Sequence, residues 1–188
     1  MPKEVEVKFR ISNRPALAKA MQRAGFKQIT RSTHEMNVLY DLPGQKLRKR
    51  GKLLRLRKYG KQWVLTHKAK AAAGRHKVRV ELETRVESGE RTDGILRALG
   101  FAPTFRYEKY RAVWSGGPGH VVVDETPIGV FGEIEGPARW IDRTARALGI
   151  TSADYITQTY ADLFFTWKRK TGSAATEMTF RAVRGKRG

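Results

Sequence analysis

The chain has 188 residues, no cysteine and a formal net charge of +20. That length holds one compact domain with a real core, or two small ones, and the missing cysteines exclude a disulfide framework and thiolate chemistry. No apolar run approaches transmembrane length and the opening MPKEVEV has no apolar signal region, so a cytoplasmic protein without a membrane partner is expected.

In chain order, EVEVKFRI (4–11) alternates charged and apolar residues as a half-buried strand does. A helix is expected over Arg14–Ala24. The segments LLRLRKY (53–59) and KQWVLTHK (61–68) flank KYGK, a hairpin signal, and KVRVELETRV (77–86) follows as another strand. After a helix at about Gly89–Leu99 come RYEKYRAVW (106–114) and HVVVDE (120–125), joined by the turn SGGPG, and then VFGEIEG (130–136). Helices are expected over Ala138–Leu148 and Ser152–Trp167, the latter with Ser152 as N-cap. From Lys168 to Gly188 seven basic residues face Glu177, a charge of +6 that leaves +14 for the body. This stretch lacks an apolar period and reads as a basic, flexible tail (168–188) after a folded domain (1–167).

Three acidic strands lead into helices with similar ends: RAGF (23–26), RALGF (97–101) and RALGI (146–150). Glycine before a hydrophobe is a common helix terminator, because glycine tolerates the left-handed conformation. The shared order suggests pseudo-repeats building one antiparallel sheet with helices outside.

The strand faces carry the functional signal. Glu4, Glu6 and Lys8 share one face, with Val5, Val7 and Phe9 on the other. Arg55 and Arg57 share a face, as do Arg79, Glu81 and Glu83, then Lys109 and Arg111, then Glu133 and Glu135. A single charged face is ordinarily just solvated. If apolar faces pack under helices and the sheet curls, however, the charged faces gather in its interior, where unpaired charge is costly. Carboxylates there call for a hard divalent cation and Arg/Lys for phosphate oxygens, a pairing that a metal-chelated polyphosphate satisfies.

These residues resemble the CYTH, or triphosphate tunnel metalloenzyme, superfamily, which includes class IV adenylate cyclases, thiamine triphosphatases and inorganic triphosphatases. The ExExK hallmark is Glu4, Glu6 and Lys8. Tyr40, Asp41, Pro43, Leu47, Gly51 and LRLR (54–57) match the next block. LTHK ending at Lys68, VRVELE with Arg79, Glu81 and Glu83, EKYR with Lys109 and Arg111, VVVDE with Asp124, GEIEG with Glu133 and Glu135, and TYADLF (159–164) complete the series. Leu42 and Thr159 depart from the usual Thr and Ser.

The resemblance implies an α+β fold: an eight-stranded antiparallel β-barrel forming a tunnel, with helices packed outside. It implies that Glu4, Glu6, Glu133, Glu135 and Asp124 hold Mg²⁺ or Mn²⁺. Lys8, Arg55, Arg57, Lys68, Arg79, Lys109 and Arg111 would grip the triphosphate. Glu4, Glu6, Lys8 and Asp124 would carry catalysis, and Glu81 and Glu83 would support the basic residues or bind metal. The expected activity is triphosphatase on tripolyphosphate, ATP or a similar molecule, with class IV adenylate cyclase as runner-up. The family's frequent dimers suggest a homodimer, and the basic tail suggests contact with RNA or polyphosphate.

A non-catalytic polyphosphate- or nucleic-acid-binding β protein is the remaining alternative. Charge alone accommodates it, but the paired carboxylates would repel a phosphate backbone. The four histidines have no ligand spacing, and no GxxxxGK[ST] phosphate loop is present.

Overall fold

The structure, a computed structural model, describes residues 3–185. Its strands are β1 (Lys3–Arg10), β2 (Lys27–Asp41), β3 (Leu53–Tyr59), β4 (Gln62–Lys68), β5 (Lys77–Val86), β6 (Ala102–Gly116), β7 (Gly119–Thr126) and β8 (Gly129–Glu135). They close into an antiparallel barrel in the order β1-β5-β4-β3-β2-β6-β7-β8. Hairpins at Gly60-Lys61 and Gly117-Pro118 join β3 to β4 and β6 to β7, as the turn signals indicate.

The expected helices appear as α1 (Arg14–Arg23), α3 (Gly89–Ala98) and α4 (Ala138–Ala147), beside a short α2 (Lys46–Lys49). The three longer ones end alike. Gly25, Gly100 and Gly149 adopt φ of 81°, 86° and 74°. The next residue's amide returns to the last turn: Phe26 to the Met21 carbonyl at 2.9 Å, Phe101 to Leu96 at 3.0 Å and Ile150 to Ala145 at 2.8 Å. This is the hydrogen bond by which a left-handed glycine closes a helix.

The helices cover the outward, apolar faces of the strands. Val7, Phe9, Val121 and Ile134 pack with Leu17 and Met21 of α1 and Ile141 and Ala145 of α4. Val38, Tyr40 and Leu56 pack with Leu96 of α3. Burial of such side chains contributes about 1.5–3 kcal/mol each, which commits the opposite, charged faces to the barrel interior.

Three expectations are corrected. The strand β2 has no counterpart among the sequence-read strands. Helix α5 spans Tyr160–Thr171 rather than starting at Ser152, which instead begins a single 3-10 turn, Ser152–Asp154. The effective N-cap is Thr159, whose hydroxyl accepts from the Asp162 amide while the Asp162 carboxylate accepts from the Thr159 amide.

The described part of the 168–188 stretch is also packed rather than loose. Met178 is fully buried with Ala175 among Phe105, Tyr107, Leu163 and Phe164. Its backbone exchanges hydrogen bonds with Arg106 and Glu108 of β6, beyond the point where β7 stops pairing. A final helix, α6 (Phe180–Arg184), follows, with Phe180 against Tyr110. Residues 186–188 lie outside the described residues.

Candidate functional site

Because strand side chains alternate, closing the barrel brings the charged faces together. They line a tunnel of about 460 Å³. Glu4, Glu6, Lys8, Arg55, Arg57, Lys68, Arg79, Glu81, Glu83, Lys109, Arg111, Glu133 and Glu135 all border it. Of the sequence-read site residues, Asp124 alone stands outside the lining, fully buried behind the wall. Nine basic and six acidic residues face the cavity, and the carboxylates of Asp124 and Glu35 buried behind Lys109 and Arg111 reduce the surplus to one positive charge. That surplus favours an anion.

The deep end is a network of buried charge. Asp124 accepts from Lys109 Nζ at 3.0 Å, from the Tyr160 hydroxyl at 2.6 Å and from Arg111 Nε at 2.7 Å. Its oxygens are thus committed to holding the cations in place. Lys8 Nζ pairs with Glu133 at 3.0 Å and sits 4.3 Å over the Tyr160 ring. Burial opposes charge on Lys8, but Glu133 and Glu6 outweigh it and raise the ammonium above its ordinary range. Burial likewise opposes ionisation of Glu133, and Lys8, Arg111 and Lys109 overcome it, holding the carboxyl well below the usual range.

Sequence reasoning missed Glu35. Fully buried on β2, it lies 3.3 Å from Lys109, 3.8 Å from Arg57 and 4.0 Å from Arg111. Burial alone would raise its pKa, but Lys109, Arg111, Arg55 and Arg57 force it far below the carboxylate range. The signal available for it was faint: a lone Glu in a mostly polar run. Lys77, Tyr107 and Tyr160 also border the tunnel without having been singled out.

Two residues from Lys8 and Glu133 along the same strands, β1 and β8, carboxylates gather. Glu6 and Glu135 stand directly opposite across β1 and β8, a like-charge pairing that is unfavourable without a cation. Glu6 holds Lys77 at 2.9 Å, and Glu4 holds Lys68 at 2.6 and 2.8 Å. Glu135 makes no ion pair among the described residues. Partial loss of water, then the charges of Glu4, Glu6 and Glu133, push it up to about 7. This crowding of oxygen donors fits a hard divalent cation. Among the described residues no three acidic or imidazole groups form a ready-made cage, so the fit lies in the donor chemistry, with Lys68 and Lys77 as the present counter-ions.

An antiparallel eight-stranded barrel around a tunnel of paired acids and bases defines a class of proteins, and comparison gives it a name. The CYTH domain matches residues 2–160, and the chain belongs to that family. A protein of Methanocaldococcus jannaschii named "putative adenylate cyclase" is 25% identical over 133 residues, covering 70% of this chain and 75% of the relative. Among solved structures, PH1012 of Pyrococcus horikoshii is 26% identical with a TM-score of 0.73, covering 85% of this chain and 98% of that one. A Hippeastrum adenylyl cyclase homologue, described as having a dominant triphosphatase activity, shares the fold at 17% identity with a TM-score of 0.65, covering 87% and 95%. Members of the family act on triphosphates as cyclases or triphosphatases.

Proposed function

We propose that the protein is a divalent-metal-dependent triphosphatase. One observation carries the reading: a tunnel lined mainly by basic residues also contains, on β1 and β8, a crowded cluster of carboxylates. Arg55, Arg57, Lys109 and Arg111 hold phosphoryl oxygens, arginine through its planar two-pronged fork. Asp124 and Glu35 keep Lys109 and Arg111 aimed. Glu4, Glu6 and Glu135 would hold Mg²⁺ or Mn²⁺, with Glu133 beside them engaged by Lys8 and Arg111. Such an ion, when bound, offsets charge developing at phosphorus. Hydrolysis breaks the terminal phosphoanhydride, the water oxygen forming the new bond to phosphorus, and releases orthophosphate.

Cyclisation of ATP by its ribose hydroxyl, releasing pyrophosphate, is the second reading, favoured by the name of the Methanocaldococcus relative. A cyclase name on this fold does not decide the reaction, as the Hippeastrum protein illustrates. The test offers tripolyphosphate with Mg²⁺ or Mn²⁺ to the full chain. Orthophosphate release that stops with EDTA supports the proposal. No turnover, together with tight RNA binding that persists in EDTA, would overturn it in favour of a nucleic-acid binder.

A further inference from the structure

The loop 69–76 joins the two lysines that stand on the tunnel's carboxylates, Lys68 at the end of β4 and Lys77 at the start of β5. They are held differently. Lys68 lies between Glu4 at 2.6 Å and Glu81 at 2.9 Å, whereas Lys77 pairs with a single carboxylate, Glu6 at 2.9 Å. Strand register gives Glu6 two facing neighbours, Lys77 on β5 and Glu135 on β8. The ammonium of Lys77 offsets one of these two carboxylates and leaves Glu135 without an ion pair among the described residues. A divalent cation in the same place would satisfy both, through the oxygen donors it prefers.

A clasp outside the barrel holds Lys77 from behind. The two residues before it both donate to Asp142 of α4, His76 through Nε2 at 2.8 Å and Arg75 through Nη2 at 2.5 Å. Asp142 is fixed in turn, because the adjoining Ile141 is fully buried with Val7 of β1 and Ile134 of β8. The clasp therefore ties the start of β5 to the helix that lies on the two strands carrying Glu6 and Glu135.

We infer that Lys77 is a built-in stand-in for the divalent cation, competing with it for Glu6, and that the clasp of Arg75 and His76 on Asp142 sets the strength of that competition. This rests on the metal-binding part of the proposed function. Lys77 leaves Glu6 when the ion enters, and its ammonium turns into the cavity it already borders. Affinity for the cation is thus lower than the carboxylates alone would give, and loss of this lysine strengthens metal binding.

The test titrates Mn²⁺ alone, without any phosphate, into the full-length protein and follows the paramagnetic resonance of the free ion. Lys77→Met should tighten Mn²⁺ binding about tenfold. Arg79→Met controls for simple charge removal, since Arg79 borders the same cavity two residues along β5 and makes no ion pair among the described residues. Its gain should stay below about threefold. Asp142→Asn should tighten binding about threefold, and add nothing beside Lys77→Met. Removing a negative charge would by itself weaken cation binding, so a gain there comes from the opened clasp. Unchanged or weaker binding in Lys77→Met, or an equal gain in Arg79→Met, would overturn the inference. A gain in Asp142→Asn that persisted beside Lys77→Met would overturn the clasp. Should Lys77→Met not fold, Asp142→Asn decides: tighter binding supports the inference, and unchanged or weaker binding overturns it. Wild-type protein that binds Mn²⁺ while neither variant gains leaves the metal reading standing; no binding in any of them removes both.

Discussion

Glu35 Oε1 and Lys109 Nζ meet at 3.3 Å with side chains 0% and 2% exposed. The same ammonium lies 3.0 Å from the equally buried Asp124. One cation is thus shared by two carboxylates cut off from water, an arrangement tolerated only while every member has its partner. On the proposed reading this is preorganisation, with Lys109 and Arg111 aimed before any substrate arrives.

Glu35→Leu should therefore destabilise the fold by about 3–5 kcal/mol, measured by urea unfolding. Adding Lys109→Met should cost less than the sum of the single changes, with a coupling of about 1 kcal/mol or more. Strict additivity would mean that the two residues do not act as a unit.

Met178→Ala should lower stability by about 2–5 kcal/mol, as large-to-small changes at fully buried sites do. A loosely attached tail would give less than about 0.5 kcal/mol.

The sequence carried most of this architecture as period-two charge patterning, and the places where it did not are physically distinct. In β2 the inward positions include Glu35 and Asn37, both fully buried, so the strand lacks a clean apolar alternation. Glu35 also has no neighbouring acidic partner of the ExE kind to draw attention to it. The packing of Ala175, Met178 and Phe180 was illegible because their spacing follows no helix or strand period, each instead meeting residues from elsewhere in the fold. The start of α5 was expected at Ser152, where the sequence offers a cap for only a short turn. Thr151 with Asp154 closes only a single turn, and Thr159 with Asp162 opens the helix. The charged constellation, by contrast, needed only strand register to become a tunnel.

The carboxylate wall predicts a pH signature in EDTA. Glu135 has an ordinary value of 4.5 when unfolded and about 7 when folded. The folded state holds this proton more tightly. Its contribution to stability therefore falls as pH rises from the lower value to the higher, and is constant above. Glu135→Gln removes that penalty. Its Tm should exceed the wild-type value at about pH 8, with the gain shrinking toward about pH 5. A gain independent of pH would assign the effect to something other than this carboxyl.

Mg²⁺ or Mn²⁺ should raise the Tm of the wild-type protein, since a ligand stabilises the state it binds, and Glu4→Gln with Glu6→Gln should abolish that rise. Turnover should fall by about a hundredfold or more. A retained cation-dependent Tm shift would place the metal elsewhere.

The identity of the products shows whether a triphosphate is hydrolysed within the tunnel. Phosphorus NMR of ATP and of tripolyphosphate, each incubated with the protein and Mg²⁺ or Mn²⁺, distinguishes the cases. Hydrolysis yields orthophosphate together with ADP and with pyrophosphate, respectively. Pyrophosphate and cyclic AMP formed from ATP, with tripolyphosphate left intact, would contradict it.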